Sequence, residues 1–374
     1  MESLHQKMAS LPGLSKSRRA FMAKIFSTML CLRGKANYMN LSRYADCNEK
    51  TIRRNVQKSF PFEALNIQLA SESLGKTCIL AMDATFVHKS GKKTYGLDRF
   101  WSGCASRVER GLEVSVLALV NEQRQAMALH AQQTPVLPDE ESRMTFYLQQ
   151  VKDAQPYLPI GLKHSVFDGF YSKQGFVEGI CQMGLEMIGK LRHDANLQYW
   201  FEGEQKAKGR KRKFDGKVFY DDMTRFESLG ELEENIHGWT QKVWHTTLKR
   251  TIRVVMLLNA KNPEKQRHVL LFSTDVGLSG HEIVALYGSR FAIEFLFRDA
   301  KQHLGFEDCQ ARNEKALDFH FNVSLSALNL AKAEALRDHT PGQTFVFSMQ
   351  SQKCLAFNEH LMDCFISGSD STGL

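Results

Sequence analysis

Five polar side chains fall at a helical spacing in an otherwise largely apolar stretch: Tyr287, Arg290, Glu294, Arg298 and Lys301 stand at offsets 0, +3, +7, +11 and +14. At about 100° per residue such steps nearly close whole turns. The spacing therefore predicts one helix with a single polar stripe, its apolar faces supplied by Leu286, Ile293, Phe297, Ala300 and Leu304. One carboxylate set among cations suggests a site for an anionic substrate. A solvated surface helix with spaced ion pairs, each worth only tenths of a kcal/mol, carries similar charges, but its flanks would not be this apolar.

Two further carboxylates stand upstream. Thr77 to Asp83 is an apolar run of buried-strand length, expected to end at Asp83 and to give way to a loop rich in Lys and Gly. His164 to Asp168 is a short strand that delivers Asp168 to a turn at Gly169. Taken alone, an Asp after a strand is usually a turn or helix-cap residue.

The spacing Tyr287, two residues, Arg290, three, Glu294, six, Lys301 resembles the YREK signature of bacterial insertion-sequence transposases, cut-and-paste members of the DDE superfamily. The resemblance spans about residues 75 to 310, and Asp83 with Thr85, and Asp168 with Gly169 and Tyr171, match that family's surroundings. It implies that Asp83, Asp168 and Glu294 are the catalytic and metal-binding residues, holding two Mg²⁺ ions for which Mn²⁺ can substitute, with Asp83 bridging both. The chemistry agrees: hard divalent cations take one or two carboxylates plus phosphate oxygens, and paired ions serve in-line displacement at phosphorus. Tyr287, Arg290, Arg298 and Lys301 are then expected on DNA phosphates. The implied partners are double-stranded DNA, as terminal inverted repeats and target, and a second copy of the chain in a homodimeric synaptic complex. The implied reaction is strand cleavage followed by strand transfer, in the best-studied branch through a hairpin. The alternatives are a metal-dependent DNA nuclease without strand transfer and a catalytically silent, domesticated DNA-binding protein.

Composition bounds this reading. The chain has 374 residues, a formal charge of +8 and 43% hydrophobic residues, as expected of a folded protein with two or three domains and an affinity for polyanions. The longest apolar runs, Val114 to Val120 and Val254 to Leu258, are too short for a bilayer, and the N-terminus shows no signal-peptide core, so a cytoplasmic, nucleoid-associated protein is expected. Eight scattered cysteines form no C-x-x-C pair and no zinc-like spacing with His, which predicts reduced, mostly packed thiols.

The expected fold class is α/β: an RNase H-like mixed-sheet core in residues 75–195 and 282–338, a β-rich insertion in 196–281, an N-terminal helical DNA-binding domain in 1–70, and a C-terminal helical segment with a tail in 339–374. The N-terminal part opens with the basic Lys16 to Arg19 and an apolar-periodic run from Phe21 to Leu32. Tyr38 to Ala45, a turn with an N-cap at Asn48, and Glu49 to Lys58 then resemble a helix-turn-helix, with a plain helical hairpin as the alternative. In that reading Lys50, Thr51, Arg53, Arg54 and Gln57 recognise the DNA end.

The core should contain strands Trp101 to Ser106, Gly111 to Val120 and Arg124 to Gln132, a helix Glu140 to Ala154, a helix near Lys173 to Gln182 and a strand near Leu185 to Leu191. The insertion should contain strands at Lys217 to Tyr220, Gln241 to His245, Thr251 to Leu258 and His268 to Ser273. Its basic run Lys206 to Lys213 is expected to be a disordered loop without DNA, with Lys211, Arg212 and Lys213 as phosphate contacts. Trp239 and Trp244 are candidates for stacking a displaced base, against core packing. Arg192 and Asp194 resemble a family segment near the site, or form a buried ion pair. Glu314 to Leu336 should be a mostly apolar helix behind the core, Thr344 to Asp363 a helix for dimer contact, and Ser367 to Leu374 a frayed tail.

Overall fold

The computed structural model describes residues 2–75, 77–259, 261, 268–339 and 345–370. Five helices come first: α1 (Glu2–Ser10), α2 (Lys16–Cys31), α3 (Tyr38–Tyr44), α4 (Glu49–Asn55) and α5 (Phe62–Ser73). Side-chain caps start three of them, Ser15 accepting from the Arg18 amide, Asn37 from that of Asn40, and Asn48 from that of Lys50. The basic opening of α2 is not wholly a charged surface. Arg18 is buried and donates to the Asn55 carbonyl at 2.9 Å and the Lys58 carbonyl at 2.8 Å, satisfying the C-terminal end of α4.

The sheet is built on β1 (Cys78–His88), whose Ile79 to Met82 are all buried. β2 (Asp98–Ser102), β3 (Arg107–Asn121) and β4 (Ala126–Gln133) follow. β3 pairs antiparallel with the whole of β1 from Gly111 to Asn121, with β2 at its start and with β4 from Val114 to Val120. α6 (Glu140–Ala154), capped by Asp139, leads to β5 (His164–Val166), and α7 (Gln174–Gln182) leads to β6 (Glu186–Leu191). β5 lies parallel to β1, and β6 parallel to β5. The order β4-β3-β1-β5-β6, with an antiparallel meander followed by two parallel strands, is RNase H-like.

The insertion contributes β7 (Leu197–Trp200), β8 (Phe214–Lys217), β9 (Glu227–Glu233), β10 (Ile236–His245), β11 (Arg250–Asn259) and β12 (His268–Ser273). The strand expected at Lys217 to Tyr220 lies instead at β8, because Gly216 takes a positive φ of 99° and the chain turns beyond Lys217. β12 pairs antiparallel with β6 from Leu270↔Leu191 to Ser273↔Ile188. Core and insertion therefore share one 12-stranded sheet.

Four helices close the chain: α8 (Gly280–Ser289), α9 (Ala292–His303), α10 (Glu314–Arg337) and α11 (Met349–Asp370). α10 is more than an apolar prop. Asn329 accepts from the Ala128 amide at 3.0 Å and donates to the Ala128 carbonyl, and Asn322 does the same at Ala131, both bonds at 2.9 Å. Seven helical residues rise about 10.5 Å and three strand residues about 10 Å. The two amides thus match the free edge of β4 and replace the missing neighbour strand.

α11 packs on α2, where Lys353 donates to the Met29 carbonyl at 3.1 Å. It runs through Asp370 into the stretch expected to be frayed, and residues 371–374 lie outside the described ones. All eight cysteines are unbridged; Cys31 and Cys309 are buried, Cys47, Cys78 and Cys181 pack half-buried against the core, Cys354 is half-buried, and Cys104 and Cys364 are exposed. No helix among the described residues is long and apolar enough to cross a membrane.

Replacing Asn329 by Leu should leave both Ala128 backbone groups unsatisfied in the core. We expect a loss of roughly 2–4 kcal/mol in denaturant unfolding, more than for Asn40→Leu, half-buried in α3, whose amide serves the Arg33 and Lys35 carbonyls at the surface.

Candidate active site

Asp83 does not end its strand. It sits mid-way along β1 opposite Val116, because β3 continues the ladder on one side to His88↔Gly111. On the other side β5 stops after Leu80↔Ser165 and Ala81↔Val166. Asp83 is two residues past Ala81 and Asp168 two past Val166, so the period of two puts both on one face of the sheet, just beyond the last rung. Asp168 keeps an extended backbone, and the turn after it is pinned where Ser172 donates to the Lys190 carbonyl at 2.8 Å. Beneath it, buried Tyr171 packs on Phe167, Phe176 and Tyr147.

The predicted stripe is divided between two helices. α8 ends at Ser289 and α9 begins at Ala292, with i to i+3 bonds from the Arg290 amide to Tyr287, Phe291 to Gly288, Ile293 to Arg290 and Glu294 to Phe291. This tighter turn keeps helical dihedrals, so the polar residues still converge. Arg290 uses its fork inward, Nη1 on Asp83 Oδ2 at 3.0 Å and Nη2 on Glu294 Oε1 at 3.1 Å. The Tyr287 hydroxyl makes a long contact of 3.5 Å with Asp168 Oδ1.

Charge and burial compete here. Burial pushes the Asp83 carboxyl up to about 6, helped by Asp168 and Glu294 and opposed by Arg290 and the Ala84 amide. Burial works against the Arg290 charge too, but Asp83, Tyr287, Asp168 and Glu294 outweigh it and the guanidinium's pKa is raised. Burial first, then Asp168, moves the Tyr287 phenol up to about 12, so it stays a donor.

Among the described residues no three Asp, Glu, His or Cys side chains converge as a ready-made metal ligand set. Arg290 instead supplies the positive charge between two of the carboxylates, and its Nε is buried without a partner. Two adjacent aspartates still fit Mg²⁺, which takes one or two carboxylates and fills its remaining positions with water and phosphate oxygens.

Residues 74–330 match the model of the transposase DDE domain family. The chain belongs to that family. Comparison with curated proteins finds no match. Among solved structures, the chain is similar to the piggyBac transposase of a synaptic complex with hairpin DNA, at 10% identity and a TM-score of 0.45, covering 96% of this chain and 76% of that one. It also has a likeness to A. aeolicus Argonaute, at 10% identity and a TM-score of 0.24, covering 82% of this chain and 36% of that one.

The other two cations of the stripe in this DDE-domain chain have local partners. Arg298 pairs with Asp299 at 3.0 Å. Lys301 donates to the Phe86 carbonyl at 2.7 Å and pairs with Glu307 at 2.8 Å, fastening α9 to β1. In α4, Arg53 folds back onto Glu49 and over the Tyr38 ring, Thr51 is half-buried, and Lys50 and Arg54 are exposed, as is Gln57 just beyond the helix.

In the basic loop between β7 and β8, Gln205 and Arg212 exchange two hydrogen bonds, and Arg212 pairs with Asp215 at 2.6 Å, while Lys211 and Lys213 are exposed. Trp244 packs against Trp200 and Phe214 at 5.5 and 5.7 Å between ring centres, and Trp239 is half-buried near His237. Arg192 and Asp194 form an exposed pair, not a buried one.

The Asp83 carboxyl ionises near 6 instead of its ordinary 3.8. Its contribution to stability is therefore fully present below about pH 4 and is lost as pH rises through 6. Arg290→Gln should move the Asp83 titration upward by about one pH unit or more, followed by carbon-detected NMR of the metal-free protein. An unmoved midpoint would show that the guanidinium does not hold this carboxylate charged.

Proposed function

We propose that this chain is an insertion-sequence transposase of the YREK group, bacterial and cytoplasmic, that binds its element's terminal inverted repeats, pairs two DNA ends as a homodimer, and cleaves and joins DNA strands. The observation that carries this reading is the meeting of Asp83, Asp168 and Glu294 through Arg290 and Tyr287 on one face of an RNase H-like sheet. In that reading residues 1–70 recognise the DNA end, 196–281 are the insertion, and 339–374 serve the dimer.

Asp83 and Asp168, with Glu294, are the groups that would hold Mg²⁺ or Mn²⁺. Bound ions supply activation of the attacking oxygen and stabilisation of the leaving one. The chain's own part is positional. The β1–β5 ladder sets the two aspartates side by side, and Arg290 keeps Asp83 and Glu294 from repelling each other before substrate arrives. Its planar fork suits phosphate oxygens as well as carboxylates. Lys50, Arg54, Lys211 and Lys213, exposed and remote from these acids in sequence, are the cations we assign to the DNA backbone and end.

Asp83→Asn, Asp168→Asn and Glu294→Gln should each abolish Mg²⁺-dependent cleavage of the element's end while leaving DNA affinity nearly intact, since the amides keep shape and remove charge. Wild-type cutting by any one of them takes that residue out of the site. A gel assay that resolves joined from merely cut products separates strand transfer from plain nuclease action.

Neutralising Lys211, Arg212 and Lys213 together should weaken binding on every DNA sequence and flatten the dependence of log Kd on log salt. Binding isotherms at several salt concentrations read this directly. An unchanged slope would leave the β7–β8 loop without a phosphate contact.

A further inference from the structure

The β2–β3 ribbon has two unlike faces. β3 runs on past the end of β1 at His88↔Gly111, so its first residues pair with β2 alone, from Arg99↔Arg110 to Ser102↔Arg107. On one face buried Phe100 lies under the Arg143 guanidinium of α6, and Glu109 beside it pairs with Arg107. On the other face Arg99 stands opposite Arg110 and Trp101 opposite Val108, and all four are exposed. Trp101 is 61% exposed and Val108 53%.

A cross-strand pair of an aromatic and a β-branched residue holds a ribbon together, but like charges directly opposite each other work against it. The Arg99–Arg110 pair therefore does not serve the ribbon's own stability. Among the described residues neither guanidinium has an ion-pair partner. Arg110 donates to the Gly91 carbonyl at 3.3 Å, in the loop that continues with exposed Lys92 and Lys93, and Asp98 accepts from the Arg99 amide, not its side chain.

This is also the face that carries Asp83. Asp83 is opposite Val116, and every second residue of β3 from there, through Val114 and Leu112 to Arg110 and Val108, points to the same side of the sheet. At about 3.3 Å per residue, Arg110 and Val108 lie about 20 and 26 Å along the strand from Val116, the rise of roughly six to eight base pairs. The basic β7–β8 loop lies at the opposite edge of the strand order from β2.

We propose that this ribbon face grips the duplex that flanks the element, across the scissile phosphate from the terminal repeat. This rests on the DNA-cleaving role proposed above. A phosphate in an uncut strand has duplex on both sides. With the repeat assigned to α4 and the β7–β8 loop, the other arm runs toward the opposite edge of the sheet, where Lys92, Lys93, Arg99 and Arg110 match its phosphates. Trp101 and Val108 lie between these cations and suit the deoxyribose faces, the apolar part of a DNA backbone. Flanking sequence differs from one insertion to the next, so the contact has to be made to the backbone. A second copy offering the same face would set cation against cation.

The test uses the full chain in calcium and two duplexes: the terminal inverted repeat that borders the coding region with 20 base pairs of flank, and the same repeat ending at the cleavage position. Hydroxyl-radical footprints of wild-type protein should extend into the flank. Arg99→Gln/Arg110→Gln should erase that extension, weaken binding of the flanked duplex roughly 10-fold or more and lower its salt slope by about two. It should bind the pre-cut repeat as wild type does and melt no lower, because a like-charge pair has gone. Trp101→Ala should weaken the flanked duplex alone, and Trp101→Phe should restore most of the loss. Replacing the flank by another sequence should change nothing.

Equal losses on both duplexes would make the ribbon a general polyanion contact and overturn the proposal. So would a footprint that keeps its flank extension in the Gln variant, or a dimer, seen by sedimentation, that Trp101→Ala breaks while flank affinity stays. Normal flank binding with impaired joining of pre-cut ends to a second duplex moves the face to target DNA and overturns it too. Wild-type protein that binds and cuts the repeat without covering the flank sinks the ribbon contact alone. Protein that neither binds nor cuts sinks it together with the transposase reading.

Discussion

The two-rung parallel ladder between β1 and β5 is the constraint on which the site depends. Leu80↔Ser165 and Ala81↔Val166 are its only rungs, yet they fix the relative register of two segments some eighty residues apart in sequence. A slip of one residue would send either aspartate to the opposite face of the sheet. The apolar run before Asp83 anchors the ladder in the core. Its early end lets two like charges stand next to each other with space for a third group. The same placement desolvates Asp83, which is why its carboxyl is so reluctant to ionise and why a buried arginine stands against it.

Much of this was legible in the chain because it is local. The Asn48 cap, the α6 span Glu140 to Ala154 and the strand His268 to Ser273 follow from patterns within a few residues, and the structure has them where expected. That Tyr287, Arg290 and Glu294 share one polar face was readable from spacing, although the single helix was not, and their meeting with the two aspartates was what the family resemblance implied. What escaped was the long-range satisfaction of polar groups. Arg18 reads as a surface cation, but its partners are the carbonyls of Asn55 and Lys58. Asn322 and Asn329 look incidental in an apolar helix until β4 is laid beside it, since no helical periodicity reveals that seven residues of one element equal three of another.

The cations fall into two groups that net charge does not distinguish. Arg290, Arg298 and Lys301, nearest the acids in sequence, are committed to nearby carboxylates or carbonyls. Lys50, Arg54, Lys211 and Lys213 remain exposed on α4 and the β7–β8 loop. Exposed positive charge is thus available at those elements, whereas the charge at the carboxylate site is neutralised. Substitutions in the two groups should not be compared as equivalent losses of charge.

The pairing of β12 with β6 has a mechanical consequence. From β1 the ladder passes through β5, β6, β12, β11, β10 and β7 to β8, seven strand intervals with a register shift only between β7 and β8. At about 4.8 Å per interval this is about 34 Å along the sheet, close to one turn of B-form DNA. A hinged insertion would let its basic loop wander with respect to the carboxylates. A shared backbone ladder instead works as a ruler, its length set by peptide geometry and not by any side chain, so the grip at either end can evolve while the distance between them stays the same.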